Sequence, residues 1–304
     1  MADEKVDEKV VTNPSGGVTT LLRAALPSLP LINQLPGVRK APAQGFGGLT
    51  VSRPPVLVER DRVDAYAAVC GFPTKDTVPL TYPHLLAFPL HMAILGDQAF
   101  PAPAIGTVHL ENTITGHRPI TVGETLSVTT AVGAPRAHPK GTTYLFTTTV
   151  RAGGPGDPGE VVWESGSTYL RRGRGDESAS FGSAFPDAEP GGLEWRLPGD
   201  LGRRYAAISG DHNPIHLYPL TAKALGFQRQ IAHGMWTKAR CVAALENRLP
   251  DAVTVSVGFR KPVFLPGTVS FGSRTIESGR AFSLTGVGGS GTARTHLVGQ
   301  AVEA

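Results

Sequence analysis

Apolar and polar residues alternate along several short stretches of the chain. The alternation is strict in VTVSVGF (253–259) and looser in YLFTTTV (144–150) and FSLTGV (282–287). Because successive side chains of a strand point to opposite faces, this pattern predicts half-buried antiparallel strands. Turn residues follow a common plan in the two halves, with PITVGETLSV (119–128) placed like PVFLPGTVSF (262–271). Both halves are therefore predicted to contain antiparallel sheet.

A helical period precedes the strands in the second half. Apolar residues recur there at the spacing of one helix face, and they are Met235, Ala239, Cys241, Val242 and Leu245. The pattern predicts a helix that lays this face on a sheet. On this assignment Lys238 and Arg240 point away from the apolar face.

The two halves of the sequence repeat each other. YAAVCG (66–71) corresponds to YAAISG (205–210), which indicates a tandem duplication. A stretch rich in Gly, Ser, Pro and charge, 171–192, has the composition of a linker. Each half is predicted to be an α+β unit in which a curled antiparallel sheet wraps one helix. The expected divisions are an N-terminal extension (1–50), a first domain (51–172), a linker (173–192) and a second domain (193–304).

Composition narrows the choice of partners and compartment. The 304 residues can bury a core without cross-links, and the two cysteines, Cys70 and Cys241, lie far apart in sequence. With no signal sequence and no membrane span in view, we expect a cytoplasmic protein. The net charge of +4 comes with arginine runs that lack interleaved aromatic residues. Nucleic acid is therefore not an expected partner, whereas an anionic cofactor arm fits the charge.

The stretch ISGDHNPIH (208–216) concentrates ionisable groups in one turn. Asp211 and His216 are five residues apart around Pro214, which interrupts a helix and favours a compact turn. Both side chains can then face one pocket. Asn213 is suited to holding the turn, and Gly210 relieves steric limits before the acid. Taken alone, an Asp-x-Asn-Pro turn is more often only a helix cap.

The wider context resembles the MaoC-like, (R)-specific enoyl-thioester hydratases, which have the hot-dog fold. Their signature is a Tyr, then Ser-Gly-Asp-x-Asn-Pro-apolar-His, then apolar-x-His-Gly-Met. The chain has Tyr205, SGDHNPIH (209–216) and IAHGM (231–235) in this order, followed by VGFRKPVFLPGTV (257–269). The resemblance implies an α+β double hot-dog fold and reversible interconversion of trans-2-enoyl and (3R)-3-hydroxyacyl thioesters in fatty-acid metabolism.

The resemblance also implies roles for single residues. Asp211 and His216 become the catalytic dyad, and the backbone N–H of Gly234, at a helix start, becomes the oxyanion donor. Which of the dyad residues is the acid and which the base stays open. Supporting positions are Ser209, Gly210 and Asn213. Candidate substrate contacts are His233, Arg260, Lys261, Phe88 and Leu90. Arg260 and Lys261 are most simply solvated charges at a strand end, and the alternative is that they meet the phosphates of a pantetheine-linked carrier.

The first half lacks the same groups. Phe72 stands where the second half has its acid, and no histidine follows at the required spacing. Pro89 and Leu90 are expected near the positions of His233 and Gly234, so a proline would replace the N–H donor. We expect this half to be non-catalytic, with Phe88 and Leu90 lining an acyl channel. One chain would then act as a pseudo-dimer, either alone or as a homodimer.

Two other functions remain open at this point. A thioesterase on the same fold needs a carboxylate on the central helix, where Glu246 is the candidate. A non-catalytic acyl-thioester binding protein is the second alternative. No metal, flavin or nicotinamide site is expected, so the substrate would be carried on coenzyme A or acyl carrier protein without a further cofactor.

Overall fold

The computed structural model describes residues 8–11, 40–43, 45–104, 106–154, 159–188, 191–287 and 293–304. Most of the expected 1–50 extension lies outside these residues. The helices are α1 (Arg60–Cys70), α2 (His84–Gly96), α3 (Leu201–Ser209), α4 (Pro219–Ala224) and α5 (Gly234–Leu245). Single 3-10 turns occupy Pro214–His216 and Glu246–Arg248.

The described residues form two sets of strands. Those of the first half are β1 (Glu8–Val10), β2 (Leu49–Leu57), β3 (Thr107–Gly116), β4 (Thr125–Val132), β5 (Arg136–His138), β6 (Gly141–Ala152) and β7 (Glu160–Arg172). Those of the second half are β8 (Leu193–Leu197), β9 (Val253–Phe259), β10 (Gly267–Ile276), β11 (Gly279–Val287) and β12 (Ala293–Glu303). The three segments that the alternation singled out lie in β6, β9 and β11, and β9 has the predicted bounds.

The chain divides into two compact units that interleave in sequence. The first unit holds residues up to Leu57, Pro83–Leu110 and Glu124–Gly182. The second holds Val58–Tyr82, Glu111–Gly123 and Ser183–Ala304. The domain limits predicted from the sequence treat each domain as one continuous segment. In the structure, 58–82 and 111–123, which precede the predicted linker, belong to the second unit. Local periodicity carries no information about such long-range contacts.

The first unit is a sheet with one long helix on it. Its strands are ordered β1-β2-β4-β6-β7, with β5 paired to β6. All pairs in this order are antiparallel except β1 with β2. Alternate residues of β4 are buried, as expected for a strand with one face on a core. Helix α2 packs against β2 and β4.

The second unit is an antiparallel sheet with helix α5 against it. The order is β3-β9-β12-β11-β10-β8, where the part of β3 from Glu111 onward pairs with β9. Val253, Val255 and Val257 alternate inward along β9. Helix α5 contacts β11, and α1 contacts both α3 and α5. The five residues of the predicted apolar face of α5 are all buried.

Two expectations about the helices are wrong. Lys238 does not point away from the core: its exposed fraction is 0%. Helix α2 begins at His84, so Pro89 and Leu90 lie in its interior and not at its start, where they were expected. The counterpart of His233 and Gly234 by position in the helix is therefore Pro83 and His84. The pattern of residue types does not determine where a helix begins. It also does not show whether a polar side chain has partners that allow it to be buried.

None of the helices in the described part of the chain has the length and apolar composition that crossing a bilayer requires.

Leu90→Ala is expected to lower the free energy of unfolding by about 2–5 kcal/mol, because it deletes fully buried carbon atoms and leaves a cavity. Urea unfolding measures the change. Leu220→Ala is the control, since Leu220 is 81% exposed and its truncation should change stability by less than about 0.5 kcal/mol. A Leu90→Ala protein as stable as wild type would show that Leu90 faces open space.

Candidate active site

The end of helix α3 sets the direction of the site loop. Gly210 follows the helix with φ of 75°, in the left-handed region that favours glycine, and its N–H donates to the Ala206 carbonyl at 2.9 Å. The chain therefore leaves the helix sharply at this residue. Asp211 is the first residue beyond the turn, and its side chain is partly exposed.

Three side chains hold the loop that follows. The Ser209 hydroxyl accepts from the Asp211 N–H at 3.2 Å, and the Asp211 Oδ1 accepts from the Asn213 N–H at 3.1 Å. The Asn213 side chain in turn accepts from the Ile215 N–H at 3.4 Å and caps the 3-10 turn that begins at Pro214. The compact turn predicted around Pro214 is present. These bonds fix the carboxyl group of Asp211 relative to His216.

His216 is a buried imidazole with one nitrogen engaged. Its Nδ1 lies 2.8 Å from the Ile231 carbonyl, which can only accept, so Nδ1 carries the hydrogen. Nε2 is then the basic nitrogen of the neutral ring. Burial lowers the pKa of His216, while the Asp211 charge and the bond to Ile231 offset this only in part. His216 is therefore neutral near pH 7 and can take up a proton at Nε2.

His233 packs beside this ring. The His216 and His233 rings stack with centroids 3.7 Å apart and planes at 27°. His233 Nε2 donates to the Asp211 carbonyl at 2.9 Å, and Tyr205 lies 4.9 Å away, ring centre to ring centre. Burial, followed by the neighbouring His216, lowers the pKa of His233 well below its ordinary value. His233 is therefore neutral, and its 3.9 Å approach to Asp211 Oδ2 is not an ion pair.

Gly234 is the first residue of α5, with His233 as its N-cap residue. The N–H groups of a first helical turn have no acceptor within the helix, and the helix dipole makes this end positive. A β-carbon at Gly234 would lie 3.2 Å from the Phe259 ring, a contact tighter than side chains normally make. The glycine thus lets the helix start come close to β9 and leaves its N–H suited to an oxyanion.

Two residues to which the sequence analysis gave no role of their own lie against His216. Ile231 supplies the carbonyl that fixes the tautomer of His216. Gly202, inside α3, lies so close to the site loop that a β-carbon there would be 1.9 Å from the His216 carbonyl oxygen. A glycine inside a predicted helix was the available signal, because it lowers helix stability and needs a packing reason. Ile231 was recognised only as the apolar first position of IAHGM, because a residue type gives no signal for a backbone carbonyl that accepts from a distant side chain.

The site groups could also be viewed as metal ligands. Donor atoms of Asp211, His216 and His233 all lie within 4.8 Å of one another. A metal bonds imidazole nitrogen in the ring plane at about 2.0–2.1 Å, so two ligating rings must point toward one centre. Here the rings are stacked, and a nitrogen of each is held by a backbone carbonyl. This arrangement suits proton transfer better than metal binding.

The expected substrate contacts fall into two groups. Arg260 and Lys261 line a cavity of about 510 Å³ in the second unit, and Arg294 adds a third positive charge to it. Phe185 and Asp187 lie on the same cavity wall. Arg260 directly follows Phe259, the last residue of β9, whose ring lies beside Gly234.

Phe88 and Leu90 lie on α2 in the first unit, where Phe88 is half-buried and Leu90 is fully buried. Core packing accounts for the burial of Leu90, and a channel role for both residues stays a prediction.

The turn that ends α1 in the first half repeats the turn that ends α3 in the second half: Gly71 follows α1 with φ of 80°. Phe72 then takes the place of the acid and stacks on the Tyr66 ring at 6.2 Å.

Comparison with known proteins gives relatives for nearly the whole chain. Residues 198–285 match the MaoC like domain family. The chain is 39% identical over 264 residues to 3-hydroxyacyl-thioester dehydratase X of Mycobacterium tuberculosis, covering 85% of this chain and 88% of the relative. The crystal structure of HtdX from the same organism has 35% sequence identity and a TM-score of 0.72, covering 84% of this chain and all of HtdX.

A more distant structure bears on the fold alone. A Mycobacterium tuberculosis protein described as having a double hotdog fold has a TM-score of 0.53 at 14% identity, covering 84% of this chain and 96% of that one. Together with the HtdX structure, it confirms the predicted α+β double hot-dog fold.

Acidification is expected to destabilise the protein below about pH 6.5. His216, His233 and the buried His91 all have a folded-state pKa below the ordinary value, so the unfolded chain binds protons first as pH falls. The free energy of unfolding should fall by up to about 1.4 kcal/mol per pH unit for each such histidine. Urea unfolding at a series of pH values measures this slope, and His216→Gln should make it shallower. Equal stability at about pH 7.5 and 5.5 would contradict this account.

Proposed function

Since the chain belongs to the family of MaoC-like 3-hydroxyacyl-thioester dehydratases, we propose that it interconverts trans-2-enoyl and (3R)-3-hydroxyacyl thioesters by adding or removing water. One observation carries the proposal: a neutral His216 and the carboxyl group of Asp211 meet within 4.8 Å, in the loop bonded to the segment that enters α5 at Gly234. The short distance between the two side chains and the bond from His216 to Ile231, three residues before Gly234, support a site made of a base, a carboxylate and a backbone N–H donor.

In the hydration direction His216 is the base. Its Nε2 takes a proton from a water molecule while the water oxygen forms a bond to C3 of the enoyl group. Asp211 accepts a hydrogen bond from the second hydrogen of that water and stabilises the imidazolium that forms. The electron pair of the double bond moves toward the thioester, whose carbonyl oxygen gains negative charge.

Gly234 acts on this developing charge. Its N–H, at the positive end of α5, donates to the enolate oxygen, and loss of one such donor typically costs about 3 kcal/mol of barrier. The His216 imidazolium then returns its proton to C2. Addition of hydroxide and proton from one side gives syn geometry. Dehydration is the reverse, with His216 removing the C2 proton and giving it to the departing hydroxyl.

The thioesterase alternative has weaker support. Glu246 lies after the last residue of α5, about 18 Å along the helix from Gly234. Its Oε1 accepts from Lys75 Nζ at 3.0 Å. A carboxylate at the opposite end of the helix cannot reach a carbonyl carbon bound at Gly234. A purely non-catalytic binding role would leave the neutral His216 and its fixed tautomer without a purpose.

We place the carrier at the cationic cavity. Arg260, Lys261 and Arg294 outnumber the single carboxylate of Asp187 there, so the cavity favours the phosphates of coenzyme A or of a phosphopantetheine arm. Phe259, whose ring lies beside Gly234, directly precedes Arg260 in sequence, and this proximity supports a carrier that holds its phosphates at the cavity and its thioester at the dyad.

We infer three further properties of the protein. The free, buried thiols of Cys70 and Cys241 support a cytoplasmic location. The sequence repeat supports a single chain as a pseudo-dimer with one active dyad, either alone or as a homodimer. Domain boundaries at 51–172 and 193–304 describe the duplicated halves of the sequence.

Asp211→Asn is expected to lower kcat for enoyl hydration by about 10²–10⁴-fold, because the amide cannot hold the water or stabilise the imidazolium as a carboxylate does. KM and the unfolding curve should change little, since the amide oxygen can still accept from Asn213. Loss of enoyl absorbance measures the rate. Asp200→Asn, at the start of α3, is the matched control and should keep wild-type activity. Wild-type kcat in Asp211→Asn would refute the assignment.

Removing the three cations of the cavity should slow the reaction only of substrates whose carrier has phosphate groups. A variant carrying Arg260→Ala, Lys261→Ala and Arg294→Ala is expected to lose about 10-fold in kcat/KM on enoyl-CoA, since exposed charge pairs contribute about 0.2–1 kcal/mol each. The same enoyl group on N-acetylcysteamine, which has no phosphate, should react as with wild type. Arg248→Ala is the control. An equal loss on both substrates would mean that the cavity does not bind the carrier.

A further inference from the structure

A lysine is enclosed in the middle of helix α5. Lys238 exposes none of its surface, and its Nζ donates to three oxygens. Two belong to Asn112 on β3, the carbonyl at 3.1 Å and the side-chain oxygen at 2.5 Å. The third is the Val255 carbonyl on β9, at 2.8 Å. The side chain therefore ties the helix to two neighbouring strands.

The number of acceptors indicates the charge of this lysine. Three oxygens need three N–H donors, which an ammonium group has and a neutral amine lacks. All three acceptors are uncharged, so the positive charge is not neutralised by them. Burial lowers the pKa of Lys238 well below its ordinary value and works against this charge. A methionine of similar length would fill the space without that desolvation penalty, so packing alone does not explain a lysine here.

The position of the ammonium relates it to the oxyanion donor. Lys238 is four residues after Gly234, one helical turn and about 6 Å along the axis. Helical side chains lean toward the N-terminus, which directs that of Lys238 toward the turn that Gly234 begins. Strand β9 touches the helix at both levels, through the Val255 carbonyl and through the Phe259 ring beside Gly234. Lys238 and Gly234, one turn apart on α5, therefore both lie against strand β9.

We propose that Lys238 is a positioning residue for the hydration reaction, which fixes the first turn of α5 on β3 and β9 and adds positive charge behind the Gly234 N–H. The inference rests on the proposed function, in which that N–H stabilises the enolate oxygen. In a water-excluded interior a positive charge at this range lowers the energy of the enolate more than that of the uncharged thioester. Its loss should therefore appear in kcat more than in KM.

Two neutral variants test this role. Lys238→Gln keeps N–H donors for part of the acceptor set, and Lys238→Met keeps the length of the side chain. Both are expected to lower kcat for enoyl hydration about 10-fold or more, with a smaller change in KM. Val242→Ala, a buried change on the same helix, is the control for lost stability: it should unfold at lower urea concentration yet keep wild-type kcat. A folded neutral variant with wild-type kcat would overturn the proposal.

A measurement on the wild-type protein covers the case in which neither variant folds. In protein labelled with ¹⁵N-lysine, the buried and exchange-protected Nζ signal should be that of an ammonium group at about pH 7.5. A neutral amine at that pH would overturn the proposal. Absence of hydration by the wild-type protein would instead refute the proposed function, so the two failures are distinguishable.

Discussion

Hydrogen bonds to the main chain of Ile231 hold the site loop against the segment before α5. The Ile231 carbonyl accepts from His216 Nδ1 at 2.8 Å, and the Ile231 N–H donates to the Ile215 carbonyl at 3.0 Å. Gly234 follows three residues later in the same segment. The His216 ring and the Gly234 N–H are therefore both tied to one short stretch of backbone, 231–234.

Features that depend on neighbouring residues in sequence were predictable. The turn around Pro214 follows from the fixed φ of proline and the capping oxygen of Asn213, and both act within three residues. Strand β9 has the predicted bounds because its alternation is strict and one face meets the core. Gly210 adopts the left-handed conformation that a glycine after a helix commonly supplies. In each case the cause and its effect share one short stretch of chain.

Features that depend on distant partners were not predictable. Lys238 is buried because oxygens of Asn112 and Val255 surround it, and neither residue is near it in sequence. The neutral tautomer of His216 depends on a carbonyl fifteen residues away. The predicted start of α2 was wrong because Pro89 was taken to mark the beginning of the helix. Proline is normally disfavoured in a helix interior, but Pro89 lies inside α2. The interleaving of the two units has the same origin, since it consists of long-range contacts.

The close approach at Gly202 limits how this protein can be made more robust. Replacing a helical glycine by alanine is a common route to thermostability, worth up to about 1 kcal/mol in an exposed helix. At Gly202 the added methyl group would collide with the carbonyl oxygen of His216, and the resulting shift of the backbone would also move the His216 imidazole. Engineering of α3 for heat tolerance must therefore leave this position as glycine.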